Sequence, residues 1–300
     1  MNQVASALKP DVSPLESAAA LCRGALRSTR LILKRKPVLI FSLIVVLGIL
    51  VLTFFGEQLA PYDPLAIDMP AKLQPPSAAH LMGTDDMGRD ILSRIMAGAR
   101  LSTATIAVIM SSSLVVGILV GTLAGYLGGR TDEALMRLTE VFLAFPALIL
   151  ALAIVAALGP SLINAMLAIS AVWWPWYARM VRGQVLAVKE NQYVEAARAL
   201  GAGGFRIVTR HILPNCLMPV IIQASMDMGS ALVTTAGLSF IGLGAQAPTP
   251  EWGAMVGVGR RYFLSAWWVA TFPGLAIFVT ILALNLLGDA LQDILWSRTE

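Results

Sequence analysis

From about residue 37 onward the chain alternates long apolar runs with short polar stretches. A helix rises about 1.5 Å per residue and a membrane's hydrocarbon core is about 30 Å thick, so each span needs about 20 mostly apolar residues. Six stretches meet that measure: roughly Pro37 to Gly56, Leu101 to Leu127, Leu138 to Leu158, Leu162 to Met180, Leu217 to Ile241 and Trp268 to Gly288. Pro146, Pro175 and Pro273 lie in or near these runs and predict kinks or delayed helix starts. The expected fold class is an all-α polytopic membrane protein with six transmembrane helices.

Composition agrees with that pattern. Charged residues make up 13% of the 300-residue chain, about half the share in a soluble domain, and apolar residues make up 57%. Six spans put both termini on one side, and the distribution of Lys and Arg says which. The N-tail holds seven (Lys9, Arg23, Arg27, Arg30, Lys34, Arg35 and Lys36) and the loop between the fourth and fifth spans region holds six more, from Arg179 to Arg210. The opposite face holds six, and in segment 57–100 its basic residues are outnumbered by acids such as Asp63, Asp85 and Asp90. The expectation is a cytoplasmic N-tail (1–36), a first uncleaved span (37–56), an external linker and amphipathic helix (57–98), a five-helix core (99–290) with a cytoplasmic loop near 181–215, and a cytoplasmic C-tail (291–300). The net charge of +4 then reflects orientation in a membrane rather than a nucleic-acid partner. Cys22 and Cys216 form no framework and no CxxC spacing.

Local patterns add detail. In the linker, prolines at 61, 64, 75 and 76 favour extended or turn structure. Past them, Asp85 or Asp86 is placed to cap a helix on which Asp90 and Arg94 pair at i,i+4, and Ile91, Leu92, Ile95, Met96 and Ala99 form an apolar stripe. That helix either gates a pathway or lies in the membrane interface. Gly117, Gly121, Gly125 and Gly129 recur every fourth residue, a face on which two helix backbones can approach closely, within the chain or between subunits. Trp173, Trp174 and Trp176, and Trp267 with Trp268, read as interfacial belts; the first cluster is also a candidate substrate lining.

Between the fourth and fifth spans the chain reads Glu195-Ala196-Ala197-Arg198-Ala199-Leu200-Gly201, then nine residues, then His211-Ile212-Leu213-Pro214. The spacing predicts a short helix over Gln192–Leu200, with Asn191 as candidate cap and Gly201 at a left-handed stop. This stretch resembles the EAA loop of bacterial ABC importer permeases, with Glu195, Ala196, Ala197, Gly201, Leu213 and Pro214 in register and His211 in the position of an isoleucine. Three further stretches, Gly83-Thr84-Asp85-Asp86-Met87-Gly88-Arg89-Asp90, Leu238-Ser239-Phe240-Ile241-Gly242-Leu243-Gly244 and Asn285-Leu286-Leu287-Gly288-Asp289, resemble the C-type permease subunit of dipeptide and oligopeptide importers.

The resemblance spans about residues 57–296 and implies an ABC importer permease of type I fold. It also implies a B-type permease partner, two cytoplasmic ATPase subunits that bind ATP and Mg, an external peptide-binding protein, no cofactor in this chain, and a coupling role for the EAA helix. Nickel, glutathione and D,D-dipeptides are alternative cargoes of the same family. An ATPase site is excluded by inspection, because no Gly-Lys dipeptide occurs and the phosphate-cradling loop needs one. An intramembrane hydrolase lacks a Ser–His pair, since His80 and His211 fall on opposite faces and Gly237-Leu238-Ser239-Phe240-Ile241-Gly242 is one residue too long for GxSxG. A passive channel stays open on physical grounds.

Asp227 is the one acid placed well inside an expected span. An acid at a helix centre costs roughly 2.5–3.5 kcal/mol on insertion scales, so it faces a partner or water. It either receives the positive amino terminus of a peptide, beside Gln223 and Met226, or pairs with the partner permease, or sits close enough to the cytoplasm to be hydrated.

Overall fold

The computed structural model describes residues 37–296. The basic N-tail, Cys22 and the last residues of the C-tail lie outside the described residues. The chain divides into two units, 1–41 and 42–300; of the first, only the opening turn of a helix is described. Among the described residues ten α-helices follow in order: α1 (Pro37–Leu59), α2 (Ile91–Leu127), α3 (Gly129–Leu143), α4 (Ala147–Leu158), α5 (Leu162–Lys189), α6 (Gln192–Ala199), α7 (Gly204–Ile207), α8 (Leu213–Phe240), α9 (Trp252–Gly259) and α10 (Trp268–Trp296).

Four helical runs among the described residues are long and apolar enough to cross a membrane, and α3 with α4 makes a fifth if the bent pair counts as one span. The remaining expected span, the fourth, is α5, 28 residues long, whose tryptophans, Pro175 and basic residues lower its apolarity. Its face of Ala168, Val172, Tyr177, Val181 and Val185 is buried, so neighbouring helices rather than lipid cover much of it.

The helices differ from the apolar runs in several places. The expected amphipathic helix and second span are one helix, α2, of 37 residues. Its buried residues Ile91, Ile95, Ala99, Ser102, Ile106, Ile109, Ser113 and Gly117 continue one stripe in helical register, with nothing between to break it. That stripe is buried in protein and does not lie on a membrane surface. The expected third span is broken instead: α3 and α4 meet at 87°, because Pro146 removes an amide donor and disfavours helical backbone just before it. Pro175 and Pro273, expected to kink or delay their helices, lie inside α5 and α10. The fifth span begins earlier than its apolar run, since α7, a π turn over Val208–Ile212 and α8 form a single run, Gly204–Phe240.

The centre of the bundle is the contact between α2 and α5. Gly117, Gly121 and Gly125 are buried and face Tyr177, Ala178, Val181 and Val185. A Cβ added at Gly121 would strike the Ala178 carbonyl oxygen and stand 2.8 Å from Val181 Cβ; at Gly125 it would stand 2.9 Å from Val185 Cβ. The seam is therefore internal to this chain. Further up it, Ser112 Oγ donates to Ser170 Oγ at 2.7 Å. Gly129 does not belong to the seam: α2 stops at Leu127, Gly128 turns the chain with φ +68°, and Gly129 faces open space.

Gly121→Ala should lower the thermal stability of the purified protein by about 1–3 kcal/mol, the usual effect of forcing atoms into a packed seam. Gly121→Leu should prevent stable folding. Unfolding followed by scanning fluorimetry in detergent checks both; an unchanged midpoint for Gly121→Leu would place this face elsewhere.

Candidate functional site

Three parts of the molecule carry chemistry: a loop at one end, a polar group within the bundle, and a charged cap at the other end.

The loop end holds α6, Gly201, α7 and the π turn. Asn191 occupies the N-cap position of α6 without a side-chain bond; its carbonyl accepts from Val194 N at 2.9 Å and Glu195 N at 3.2 Å. Gly201 takes φ +80°, a left-handed conformation that a β-branched residue adopts only with strain. Val194, Ile207 and Ile212 are fully buried and pin the loop to the bundle. Glu195, Ala196, Arg198 and Pro214 are exposed, while Ala197 and Leu213 are half-buried. Two residues not singled out from the sequence dominate this surface: Leu200 is 88% exposed and Phe205 84% exposed. Large apolar side chains held out from an otherwise anchored loop point to a partner surface. The signal was present as two apolar residues flanking a glycine-rich turn.

Within the bundle, the structure brings Asp227 and Gln223 together and adds Tyr177. The Tyr177 hydroxyl donates to Asp227 Oδ2 at 2.6 Å, and Gln223 Nε2 donates to Oδ1 at 3.0 Å. Tyr177 is buried, whereas Asp227, Gln223 and Met226 are half-buried. Asp227 thus has partners on α5 and α8 of its own chain and keeps part of its surface open. Met226 points elsewhere in the packing, against Gly288 of α10. Nearby, Arg182 clamps Asp132 with Nε and Nη2 at 2.5 and 2.6 Å, which ties α3 to α5. Trp174 packs edge-on against Phe142 with ring centres 5.5 Å apart and is buried, while Trp176 stays 59% exposed.

At the cap end, the linker folds back on the start of α2. Asp90 caps α2, accepting from Ser93 N at 2.8 Å, and meets His80 Nδ1 at 3.0 Å. The expected Asp90–Arg94 pair is absent because the capping carboxylate is turned to the free amides of its own first turn. Arg94 reaches Asp85 Oδ2 at 3.5 Å and donates to the carbonyls of Pro64 at 2.9 Å and Pro248 at 3.3 Å. Asp85 also accepts from Arg89 Nε at 2.7 Å rather than capping the helix. Trp268 donates to Thr84 O at 3.2 Å and Trp252 to Ile95 O at 2.9 Å, so Trp268 is a structural staple and not part of a belt. Burial pushes the Glu251 carboxyl up, opposed by the Gly253 and Ala254 amides that it caps.

No group of three or more metal-binding side chains occurs among the described residues. Comparison with known proteins adds the following. The family described as binding-protein-dependent transport system inner membrane component matches residues 117–300, and the N-terminal TM domain of oligopeptide transport permease C matches residues 25–76. The probable D,D-dipeptide transport system permease protein DdpC of Escherichia coli (strain K12) is 48% identical over 263 residues, 88% of each chain. The dipeptide permease DppC of the same strain is 46% identical over 268 residues, covering 87% of this chain and 89% of that one. The nickel permease NikC is 40% identical over 252 residues, covering 84% and 91%. Among solved structures, an inward-facing MetNI methionine ABC transporter aligns with a TM-score of 0.53 at 20% identity, over 67% of this chain and 95% of that one, a likeness of fold.

Tyr177→Phe should destabilise the α5–α8 contact by about 1.5–3 kcal/mol, the range for a hydrogen bond to a charged acceptor. Thermal unfolding checks it, and an unchanged midpoint would mean that water replaces the hydroxyl.

Proposed function

The chain belongs to the family of binding-protein-dependent transport system inner membrane components, and from that premise we propose that it is the C-type permease of an importer for dipeptides and oligopeptides. As a member of this family it is a multi-pass inner membrane permease subunit and not an enzyme, and the ATPase of such a transporter is a separate chain. In the reading proposed here, it pairs with a B-type permease, two cytoplasmic ATPase subunits hold ATP and Mg, and an external binding protein delivers the peptide. Both termini and the loop end face the cytoplasm, as the excess of basic residues on that side supports.

The observation that carries the coupling mechanism is the loop end, where Leu200 and Phe205 stand out beside α6. Set into a groove of the ATPase, α6 transmits closure of the ATPase pair to the bundle. Val194 and Ile207 pass the displacement into the core, and α8 continues from the loop without a break. The ATPases thereby switch the permease pair between inward-facing and outward-facing states. Dipeptide cargo is supported by the name of the relative at 46% identity; the D,D-dipeptide relative at 48% and the nickel relative at 40% make D,D-dipeptides and nickel the alternatives, with glutathione. ATP-dependent uptake by the reconstituted complex, measured across dipeptides, oligopeptides, glutathione and nickel, tests the cargo and distinguishes an importer from a passive channel.

Glu195→Lys and Gly201→Val should abolish ATP-driven uptake while the permease still inserts. Val at a left-handed position costs about 1–2 kcal/mol and disturbs the stop of α6. Leu200→Ser with Phe205→Ser should weaken association with the ATPase, measured by co-purification. Wild-type uptake in all of these variants would remove the loop from coupling.

Asp227, with Gln223 alongside, receives the substrate amine in this reading, which the open side of the carboxylate supports; Met226, turned to α10, takes no part. Asp227→Asn should lower uptake of free peptides and leave N-acetylated peptides little changed. Equal loss for both would assign Asp227 to holding Tyr177 alone.

A further inference from the structure

A cavity of about 250 Å³ opens in the cap end, between the start of α2, the end of α8 and α9. Four arginines line it, Arg89, Arg94, Arg260 and Arg261, with Asp85 as the one carboxylate in its wall. Arg89 and Arg94 are buried, at 6% and 4% exposure, and their charges are answered locally. Asp85 Oδ2 holds Arg89 at 2.7 Å and Arg94 at 3.5 Å, and Asp86 Oδ1 lies 3.8 Å from Arg89. Arg260 and Arg261 are different. Both are exposed, and among the described residues neither has a carboxylate within ion-pair distance. Arg260 instead lies with Cζ 4.9 Å from the ring centre of Phe240, which aligns its guanidinium along the cavity wall. Buried Asp85 and half-buried Asp86 therefore offset two buried arginines, and two positive charges at the mouth are left over.

The remaining wall is mixed. Ile91, Phe240, Met255 and Val258 give it apolar surface, and Gln246 and Thr249 give it polar groups. Such a lining suits a small amphiphilic molecule better than a bare inorganic ion. The volume is below the usual range of about 300–1,000 Å³ for drug-sized ligands, so it admits a molecule of two or so amino acids, or one end of a longer peptide. Guanidinium forks match the geometry of a carboxylate.

We propose that this cavity is a carboxylate-binding site that receives the C-terminal end of a short peptide as it enters the permease. The assignment rests on the importer reading, and it places recognition of the acid end at the cap, separate from Asp227 in the bundle. Arg260 and Arg261 bind the carboxylate directly. Arg89, Arg94 and Asp85 hold the wall and are positioning residues.

The test measures binding to the complete transporter in phosphatidylcholine nanodiscs, without binding protein, so that the binding protein's own selectivity does not enter. The probes are N-acetyl-dialanine and its C-terminal amide. The acid should bind at least tenfold more tightly than the amide. Arg260→Gln with Arg261→Gln, both at exposed positions that leave the buried network intact, should erase that difference; Arg260→Lys with Arg261→Lys should retain part of it. Equal binding of acid and amide by the wild type, or a preference that survives the double Gln variant, overturns the proposal. So does loss of acid binding when phosphatidylglycerol replaces part of the phosphatidylcholine, which would make the cavity a lipid phosphate site. An effect of the double variant on affinity for the binding protein, with no effect on the probes, overturns it in favour of a docking surface. ATP-driven dialanine uptake by the wild-type complex tests the importer reading independently of all these outcomes.

Discussion

Close approach of α2 and α5 is the contact on which the other parts depend. In lipid no hydrophobic effect draws two apolar helices together, so association rests on packing and on polar contacts. Three glycines at four-residue spacing let the backbones meet where any side chain would hold them apart. With that distance fixed, α5 presents Tyr177 to Asp227, Arg182 to Asp132 and, at its end, the loop that carries α6. A wider seam would displace all three together, because α5 is one helix.

Much of this was legible in the sequence, and the parts that were not share a cause. Long apolar runs gave the helices, and the glycine spacing marked a close-packing face. Apolarity alone could not locate the ends: α2 extends back along a stripe buried in protein, and the α7–α8 run starts in the polar loop at Gly204. The break at Pro146 was signalled by the proline, yet Pro175 and Pro273, with the same signal, lie inside continuous helices. Sequence does not say which prolines end a helix and which are carried inside one. Pairings between distant segments were equally hidden. Nothing local to Asp227 announces Tyr177, 50 residues away, and Arg94 reaches Pro248 across 154 positions. Leu200 and Phe205 were readable in principle, but only their exposure separates them from apolar residues that pack inward.

In the proposed reading, Asp227 carries a structural and a functional demand at once. Its two hydrogen bonds offset much of the cost of placing an acid within the bundle. A fully enclosed Asp227 would be a purely internal staple, and a fully open one would be unpositioned. Half-buried with both oxygens engaged, it keeps a fixed place and unoccupied lone pairs, which is the preorganisation a weak, transient cation site requires.

The two ends of the molecule are joined by long helices rather than by a chain of small contacts. At about 1.5 Å per residue, a run of 37 residues such as α2, or Gly204–Phe240, extends about 55 Å, well beyond the hydrocarbon core. Each therefore projects out of the membrane as a continuous lever. The Gly204–Phe240 run starts in the loop that bears Phe205 and ends at Phe240 and Ile241, which line the cap cavity. α2 ends beside that loop, where Tyr126 packs against Gly204, and starts at Ile91 and Arg94 in the same cavity wall. A displacement at the loop has two helical routes to the cap, and both end in the wall of one void. Tilting one run against the other would change the shape of that void, so the cavity proposed to hold the peptide's acid end lies where motion at the loop end can reach it.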